Sequence, residues 1–398
     1  MAKKRKKSKL KVRLLAIILI VIASISIGVG SVFTYVALNR NEEIKEEKPI
    51  DNNAPTIEEK ENYETTATFV AVGDALIHSA IYHDALSNGV YDFNYIFTEV
   101  KPIIEKYDLK YYNQETILGG TSLGLSSYPL FNSPQEVGDA FMNMGFNLVS
   151  LATNHTLDYG EKGMLNSLEY WGKQEGVIAA GSYESEESRV TPRIMEVNGI
   201  TYTLLSYSTL TNGLRIPYGK SYLFNLYDEE KVKEDIERVR DKVDVVMVAM
   251  HWGAEYTHKP VTEEREIADY LASLGVDIVI GTHPHVIQPI DFIDDTMVIY
   301  SLGNFVSGQV GIERLIGLMA SVTIKKTVTD GVTTITLEDP AAELVYTRKA
   351  GATYGSNYKL YPFSKLNDDI LPGYKEYYEQ FMAIATDGSR EIREIGYE

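Results

Sequence analysis

The chain has 398 residues, 44% hydrophobic and 24% charged, an ordinary globular balance with length enough for a sizeable core. It contains no cysteine, which excludes disulfides, thiolate nucleophiles and cysteine-based zinc sites, so any metal must be held by His, Asp, Glu or Asn. The net charge is −18; subtracting the eight positive charges of the first thirteen residues leaves −26 on the rest, and so acidic a body argues against nucleic acid as a partner.

Residues 1–13 read as a basic tail. Leu14 to Leu38 then run 25 residues without a charge, long enough to span a bilayer with some tilt. The basic flank places the N-terminus in the cytoplasm. A cleavable signal peptide, cut near Ala23-Ser24-Ile25-Ser26, is the competing reading, but the apolar run continues past it. In both cases the body lies outside the membrane. The expected organisation is a cytoplasmic tail (1–13), a transmembrane helix (14–38), a disordered linker (39–66) rich in Glu, Lys, Asn and Pro, a main domain (67–345) and a C-terminal extension of that domain (346–398).

From Ala67 a recurring pattern appears: an apolar, β-branched run that ends in a residue able to bind metal. The first run ends at Gly73-Asp74, where the carboxylate reads either as a ligand or, more commonly, as a cap for the next helix. The run from Asp108 ends in Asn113 and Glu115. That from Asn147 ends in Asn154 and His155, with Asp158 and Gly160 close behind. Val243 leads to His251, Val276 to Gly281, His283, Pro284 and His285, and Thr296 to Gly303 and Asn304. Helical patterns over Asp228 to Val243 and Thr262 to Leu274 separate the later runs. Strands alternating with helices predict a largely parallel sheet with helices on both faces.

Functional residues of open α/β sheets gather at the carboxyl ends of the strands. Two histidines at i, i+2 with a stiffening proline between them suit a metal site, although a loop with two surface histidines shows the same letters. Four of the seven histidines (His155, His251, His283, His285) fall at strand ends; His83 and His258 read as solvent-facing or structural.

The ordered set Gly73-Asp74, Asn113-Gln114-Glu115, Asn154-His155…Asp158-Tyr159-Gly160, His251-Trp252-Gly253, Gly281-Thr282-His283-Pro284-His285 and Ser301 to Phe305 resembles the CapA-type poly-γ-glutamate capsule proteins. The resemblance covers about residues 67–310. It implies an α/β fold of the calcineurin-like metallophosphoesterase type, layered sheets flanked by helices, here preceded by the transmembrane helix. It also implies two divalent metal ions (manganese, iron or zinc). Carried over by position, Asp74 and His285 bind one ion, Asn154, His251 and His283 the other, and Glu115 bridges them. His155 matches the residue that protonates the leaving oxygen, and Asp158 would orient its imidazole. Two such ions would activate water and steady both ends of an in-line displacement.

The sequence departs from the hydrolytic superfamily twice. Its first motif lacks the usual histidine, since residue 76 is Leu76 and the nearest candidate is His78, for which a structural role is preferred. Asn113-Gln114-Glu115 replaces the usual second motif. Both changes are typical of the capsule family, and both count against plain phosphatase activity.

Of the remaining segments, Ser182 to Arg189 reads as an acidic surface loop and Ile200 to Ser208 as a strand. Thr209 to Tyr222 reads as a long loop able to overhang the site, with Arg215 usually just solvated. Leu318 to Ile324 and Gly331 to Leu337 predict a hairpin, and Tyr374 to Met382 a helix. The resulting expectation is a single-pass cell-membrane protein with an extracellular domain, acting in synthesis, export or anchoring of poly-γ-glutamate or a related capsular polymer. Its expected partners are a capsular or wall polymer and membrane subunits of a synthase or exporter. The alternatives are a metal-dependent hydrolase or transferase acting on an envelope phosphoester or γ-glutamyl bond, and a non-catalytic wall-polymer-binding protein.

Overall fold

Side chains along the first strand of the computed structural model point alternately into two apolar clusters. The model describes residues 62–349 and 357–396. In β1 (Tyr63–Leu76), Phe69 and Ala71 enter one cluster while Val70 and Val72 enter another. Successive strand residues face opposite ways, so β1 is covered on both sides. It begins at Tyr63, inside the last residues of the expected linker. The expected tail, membrane span and most of the linker lie outside the described residues. Among the described residues no helix is long and apolar enough to cross a membrane.

The other strands, in chain order, are β2 (Leu86–Ser87), β3 (Val90–Tyr91), β4 (Leu109–Asn113), β5 (Leu148–Ser150), β6 (Ile178–Ala180), β7 (Met195–Val197), β8 (Ile200–Ser208), β9 (Val245–His251), β10 (Ile278–Thr282), β11 (Ile290–Ile293), β12 (Thr296–Ile299), β13 (Asn304–Ser307), β14 (Ile316–Thr329), β15 (Val332–Arg348), β16 (Lys359–Pro362) and β17 (Arg393–Ile395). Among the described residues, one nine-stranded sheet runs β16-β15-β14-β1-β4-β5-β6, with β13 against β1 and β17 against β15. A six-stranded sheet runs β11-β12-β10-β9-β8-β7, and β2 and β3 pair separately. Strands β1, β4, β5 and β6 are parallel, as are β8, β9, β10 and β12; β7, β11 and the β14–β15 hairpin are antiparallel additions.

The two sheets face each other across one core. Phe69, Tyr111 and Leu148 of the first meet Leu204, Met247 and Ile278 of the second. Helices cover the outer faces of both sheets. Val137 and Phe141 (helix Glu136–Met142) and Trp171 (helix Gly160–Trp171) cover the first sheet; Val232, Ile236, Ile267 and Leu271 cover the second. The result has four layers, helix–sheet–sheet–helix, in keeping with the layered sheets flanked by helices that the resemblance implies. It corrects the single sheet with helices on both faces that the strand–helix alternation alone predicts. A strand buried on both sides carries the same apolar run whether its cover is a helix or another sheet, so the run alone does not distinguish them.

Helix Glu229–Arg240 shows how local chemistry sets the elements. Asp228 accepts the Lys231 N–H at 3.1 Å, Glu229 and Glu230 sit in the first turn, and Arg238 and Arg240 in the last, all favourable to the helix dipole. Ser182 to Arg189, expected as loop, turns helical at Glu186–Val190 because Ser185 caps it. The terminal hairpin is present and longer than expected, and the C-terminal helix spans Tyr374–Ala385. Phe381 and Met382 of that helix join the inter-sheet core, so the helix packs on the same core as the sheets.

Candidate metal centre

A bulge aims the first ligand. The pairing of β1 with β4 slips between Val72 and Asp74, and that of β1 with β13 slips between Asp74 and Ala75. Bulges redirect side chains at strand ends. Here Asp74 comes abreast of Asn113 on one side and Asn304 on the other. Gly73 permits this approach: a Cβ there would lie 1.8 Å from the Gly303 carbonyl oxygen. In the second sheet, His251 pairs with Thr282 across β9 and β10, so the turn carrying His283 and His285 opens beside it.

These strand ends converge. Asp74, Glu115 and His285 each offer one atom within 4.8 Å of one another, and so do Glu115, His251 and His283. Glu115 belongs to both groups. Asn154 Oδ1 lies 3.1 Å from His251 Nε2 and joins the second group. All six residues are buried. The structure thus brings together the six residues that the resemblance assigns as ligands.

The donor set fits a cation. Both oxygens of Glu115 and Nδ1 of His283 are buried without a hydrogen-bond partner. Glu115 sits beside another carboxylate, Asp74, with His285 Nε2 at 3.6 Å and His251 Nε2 at 4.0 Å from its Oε1. Two buried carboxylates side by side are costly unless positive charge compensates them. Burial, then the charge of Asp74, drives the Glu115 carboxyl well above its usual range. Burial drives His251 well below its usual value and His283 down to about 3, with the neighbouring imidazoles adding to both shifts. Neutral imidazoles are the metal-binding form.

Surrounding hydrogen bonds orient these groups. Asn113, expected as a possible ligand, instead donates from Nδ2 to Asp74 Oδ1 at 2.8 Å and accepts from Ser150 at 2.5 Å. The Asp74 Oδ2 oxygen faces His285 Nδ1 at 3.1 Å. Thr282 Oγ1 lies 3.0 Å from His251 Nδ1, leaving Nε2 toward Asn154. Such outer contacts fix tautomer and ring direction in metal sites. Beside the cluster, His155 Nδ1 meets Asp158 Oδ2 at 2.7 Å, and the same oxygen accepts the Phe131 N–H at 2.6 Å. The Phe131 ring stands edge-on to His155 at 4.6 Å.

The backbone is strained at this point. His283 has φ +98°, His285 φ +60° and Tyr256 φ +65°, in the left-handed region that non-glycine residues rarely enter. Sequence reasoning missed Glu255, which forms a third group with His283 and His285 and whose carboxylate is 3.9 Å from His285 Nε2. Its signal was an acid four residues past a strand-end histidine. His78 stands in none of these groups; its Nδ1 accepts the Gly308 N–H at 3.2 Å, its ring meets Phe131, and burial lowers it to about 4. His258 is structural, with Nδ1 2.8 Å from the Ile287 carbonyl, and His83 is exposed. From the 209–222 loop, Asn212 Oδ1 accepts from Asn154 Nδ2 at 3.3 Å, so this loop does reach the site, whereas Arg215 is exposed.

Fold and cluster together define a four-layer α/β protein with a candidate metal centre at the carboxyl ends of its parallel strands. The chain belongs to the family described as bacterial capsule synthesis protein PGA_cap, whose model matches residues 68–309. It is similar to the PGA biosynthesis protein CapA of Bacillus subtilis (strain 168), 31% identical over 174 residues, covering 42% of this chain and 44% of that protein. It is also similar to the capsule biosynthesis protein CapA of Bacillus anthracis, 29% identical over 182 residues, covering 45% and 44%. The chain therefore spans less than half the length of these relatives. Among solved structures, a hypothetical protein from Thermus thermophilus aligns with TM-score 0.42 and 18% identity, over 69% of this chain and 98% of that one.

Proposed function

We propose that this protein acts in the synthesis, export or anchoring of poly-γ-glutamate or a related anionic capsular polymer, through a divalent-metal centre on a calcineurin-like metallophosphoesterase scaffold. The observation that carries this reading is the buried Glu115 carboxylate, without a hydrogen-bond donor, shared between a group with Asp74 and His285 and a group with His251 and His283. Membership of the capsule family supports the biological role, and the polymer is taken from what the Bacillus subtilis relative is said to make.

Asp74, Glu115 and His285 would hold one ion; Glu115, Asn154, His251 and His283 would hold a second. The mixed nitrogen and oxygen donors suit manganese, iron or zinc. Bound there, such ions supply Lewis-acid polarisation of a carbonyl or phosphoryl oxygen and acidify water. The chain's own residues do the rest. Asp158 keeps the His155 proton on Nδ1 and holds the ring against Phe131, so His155 is placed to move a proton at the leaving atom. The 209–222 loop closes one side of the site through Asn212.

The uncharged run from Leu14 to Leu38 and the following linker would station the domain outside the cell membrane, next to membrane subunits of a polymer synthase or exporter. A second reading is a metal-dependent phosphoesterase acting on an envelope phosphoester. The buried His155–Asp158 pair favours it over a non-catalytic wall-polymer-binding protein, since binding alone has no use for a carboxylate-oriented imidazole at that position.

The test is to incubate the metal-loaded full-length chain with poly-γ-glutamate and, separately, with a chromogenic phosphodiester. Shortening or transfer of the polymer, lost in His155→Ala, is expected. Cleavage of the phosphodiester alone would favour the second reading. Binding of polymer without turnover of either would leave the non-catalytic one.

A further inference from the structure

Beside this acidic centre lies a preorganised guanidinium, and the surrounding structure is built to hold it. Between β13 and β14 the loop 308–315 carries Arg314 on a single 3₁₀ turn, Ile312–Arg314. The guanidinium carbon lies 4.6 Å from the centre of the Tyr256 ring, a favourable arrangement of cation over aromatic face. The Gly311 backbone (φ +112°) also comes close: a Cβ there would stand 2.8 Å from Glu313 Oε2, 3.1 Å from Nη2 and 3.3 Å from Nε of Arg314. The guanidinium thus lies over an aromatic ring and near the Gly311 backbone.

The same contacts tie it to the metal centre. Tyr256 donates its backbone N–H to the Pro284 carbonyl at 2.8 Å, and its ring lies 6.1 Å from that of His285. Asn304 Nδ2 reaches the His285 carbonyl (3.3 Å), Gln309 Oε1 (3.0 Å) and the Arg314 carbonyl (2.9 Å), so one buried amide fastens both ends of the loop to the histidine turn. Gln309 in turn reaches the Tyr256 hydroxyl at 3.4 Å. Among the described residues no carboxylate oxygen lies within 4.0 Å of the Arg314 guanidinium nitrogens, although the Glu313 carboxylate borders the same Gly311 backbone. On a chain of net charge −18, a half-buried guanidinium without a carboxylate partner is a poor structural choice unless a ligand supplies the anion.

We propose that Arg314, held on Tyr256, is the seat for an oxyanion of the substrate next to the reacting group. This rests on the polymer reading above and deepens it. In a γ-linked glutamate chain the oxyanion is the free α-carboxylate beside each amide; in an envelope phosphoester it is a phosphate. The planar fork of arginine binds either one bidentately. The seat also resolves how an acidic protein admits a polyanion: the attraction is local.

The experiment is calorimetric titration of the full-length protein with three probes: a γ-linked glutamate oligomer, its neutral α-methyl ester, and inorganic phosphate. Wild type is compared with Arg314→Ala and Arg314→Lys, with metal content and thermal midpoint measured on each. Arg314→Ala is expected to keep its metal and its midpoint and to bind the free-acid oligomer about 10- to 100-fold more weakly, no better than wild type binds the ester. Arg314→Lys should recover part of the loss. If Arg314→Ala loses phosphate affinity and not oligomer affinity, the seat stands and its anion is a phosphate. Unchanged binding of both anions by Arg314→Ala overturns the seat alone. Failure of wild type to bind either anion overturns the seat and the polymer reading together.

Discussion

Asp74 and His285 stand 211 residues apart in the chain, yet the Oδ2 atom of one lies 3.1 Å from the Nδ1 atom of the other. Asp74 leaves the nine-stranded sheet at a bulge, and His285 leaves the six-stranded sheet on a left-handed turn. Their meeting is what joins the two sheets into one site. The geometry around the pair leads to the following expectations.

Asn113 orients Asp74, donating to its Oδ1 from Nδ2 while its own Oδ1 accepts from Ser150. Asn113→Ala should therefore leave the ligands in place and loosen one of them. Removing outer-layer partners of metal ligands typically costs about 10- to 100-fold in affinity. Chelator competition with manganese or zinc would measure this; affinity equal to wild type would show that the 2.8 Å bond is incidental.

His155→Ala and Asp158→Asn should retain metal and lose turnover. General acid–base groups contribute about 100- to 10,000-fold, and the two variants act on one imidazole, so their combined loss should be far smaller than the product of the single losses. Multiplicative losses in the double variant would place Asp158 in an independent role.

The strand ends were legible from sequence, and for a clear reason. Each apolar β-branched run stops at a glycine or directly at a polar residue, and parallel strands deliver those stops to one edge. Asp74, Glu115, Asn154, His251, His283 and His285 all follow that grammar. What the runs do not encode is which layer covers each strand, so the second sheet was invisible as a separate layer. Edge strands such as β6, β7 and β17, three residues each, are too short to show any period. Glu255 and Tyr256 sit on an irregular turn held by Pro284, a contact between segments distant in sequence with no local signature. The membrane span is a reading of composition alone and falls outside the described residues.

Gly73→Ala should destabilise the protein and weaken metal retention together. The added methyl would stand 1.8 Å from the Gly303 oxygen, so β1 and the 301–304 segment would have to separate, and Asp74 N–H would lose its 3.0 Å bond to that same oxygen. Overpacking of this kind costs about 1–3 kcal/mol. A variant as stable as wild type, with its metal retained, would mean that the strands accommodate the methyl without moving Asp74.

Glu343 makes a pH-dependent contribution to stability whose sign is defined. It is buried in β15, and burial raises its carboxyl to about 7, with Lys106 opposing. Below the ordinary value of 4.5 both folded and unfolded chains hold the proton. Between there and about 7 the unfolded chain releases it first, so stability falls as pH rises through this window, by up to about 3 kcal/mol from this group. Glu343→Gln should flatten that slope in urea melts taken from pH 4.5 to 7.5. Glu264, raised to about 7 by burial, adds a slope of the same sign. His78, His251 and His283, lowered by burial, add one of the opposite sign below their ordinary value of 6.5, so the comparison is of the slope in Glu343→Gln with that of wild type. An unchanged slope in Glu343→Gln would contradict the assignment.

The most direct test of the account is metal content. Elemental analysis of the purified full-length chain, wild type beside the His283→Ala/His285→Ala double variant, should find near-stoichiometric manganese, iron or zinc in the first and little in the second. Wild-type protein that takes up no metal, even after reconstitution with each of these ions, would contradict a metal centre at Glu115 and with it the catalytic reading of this fold.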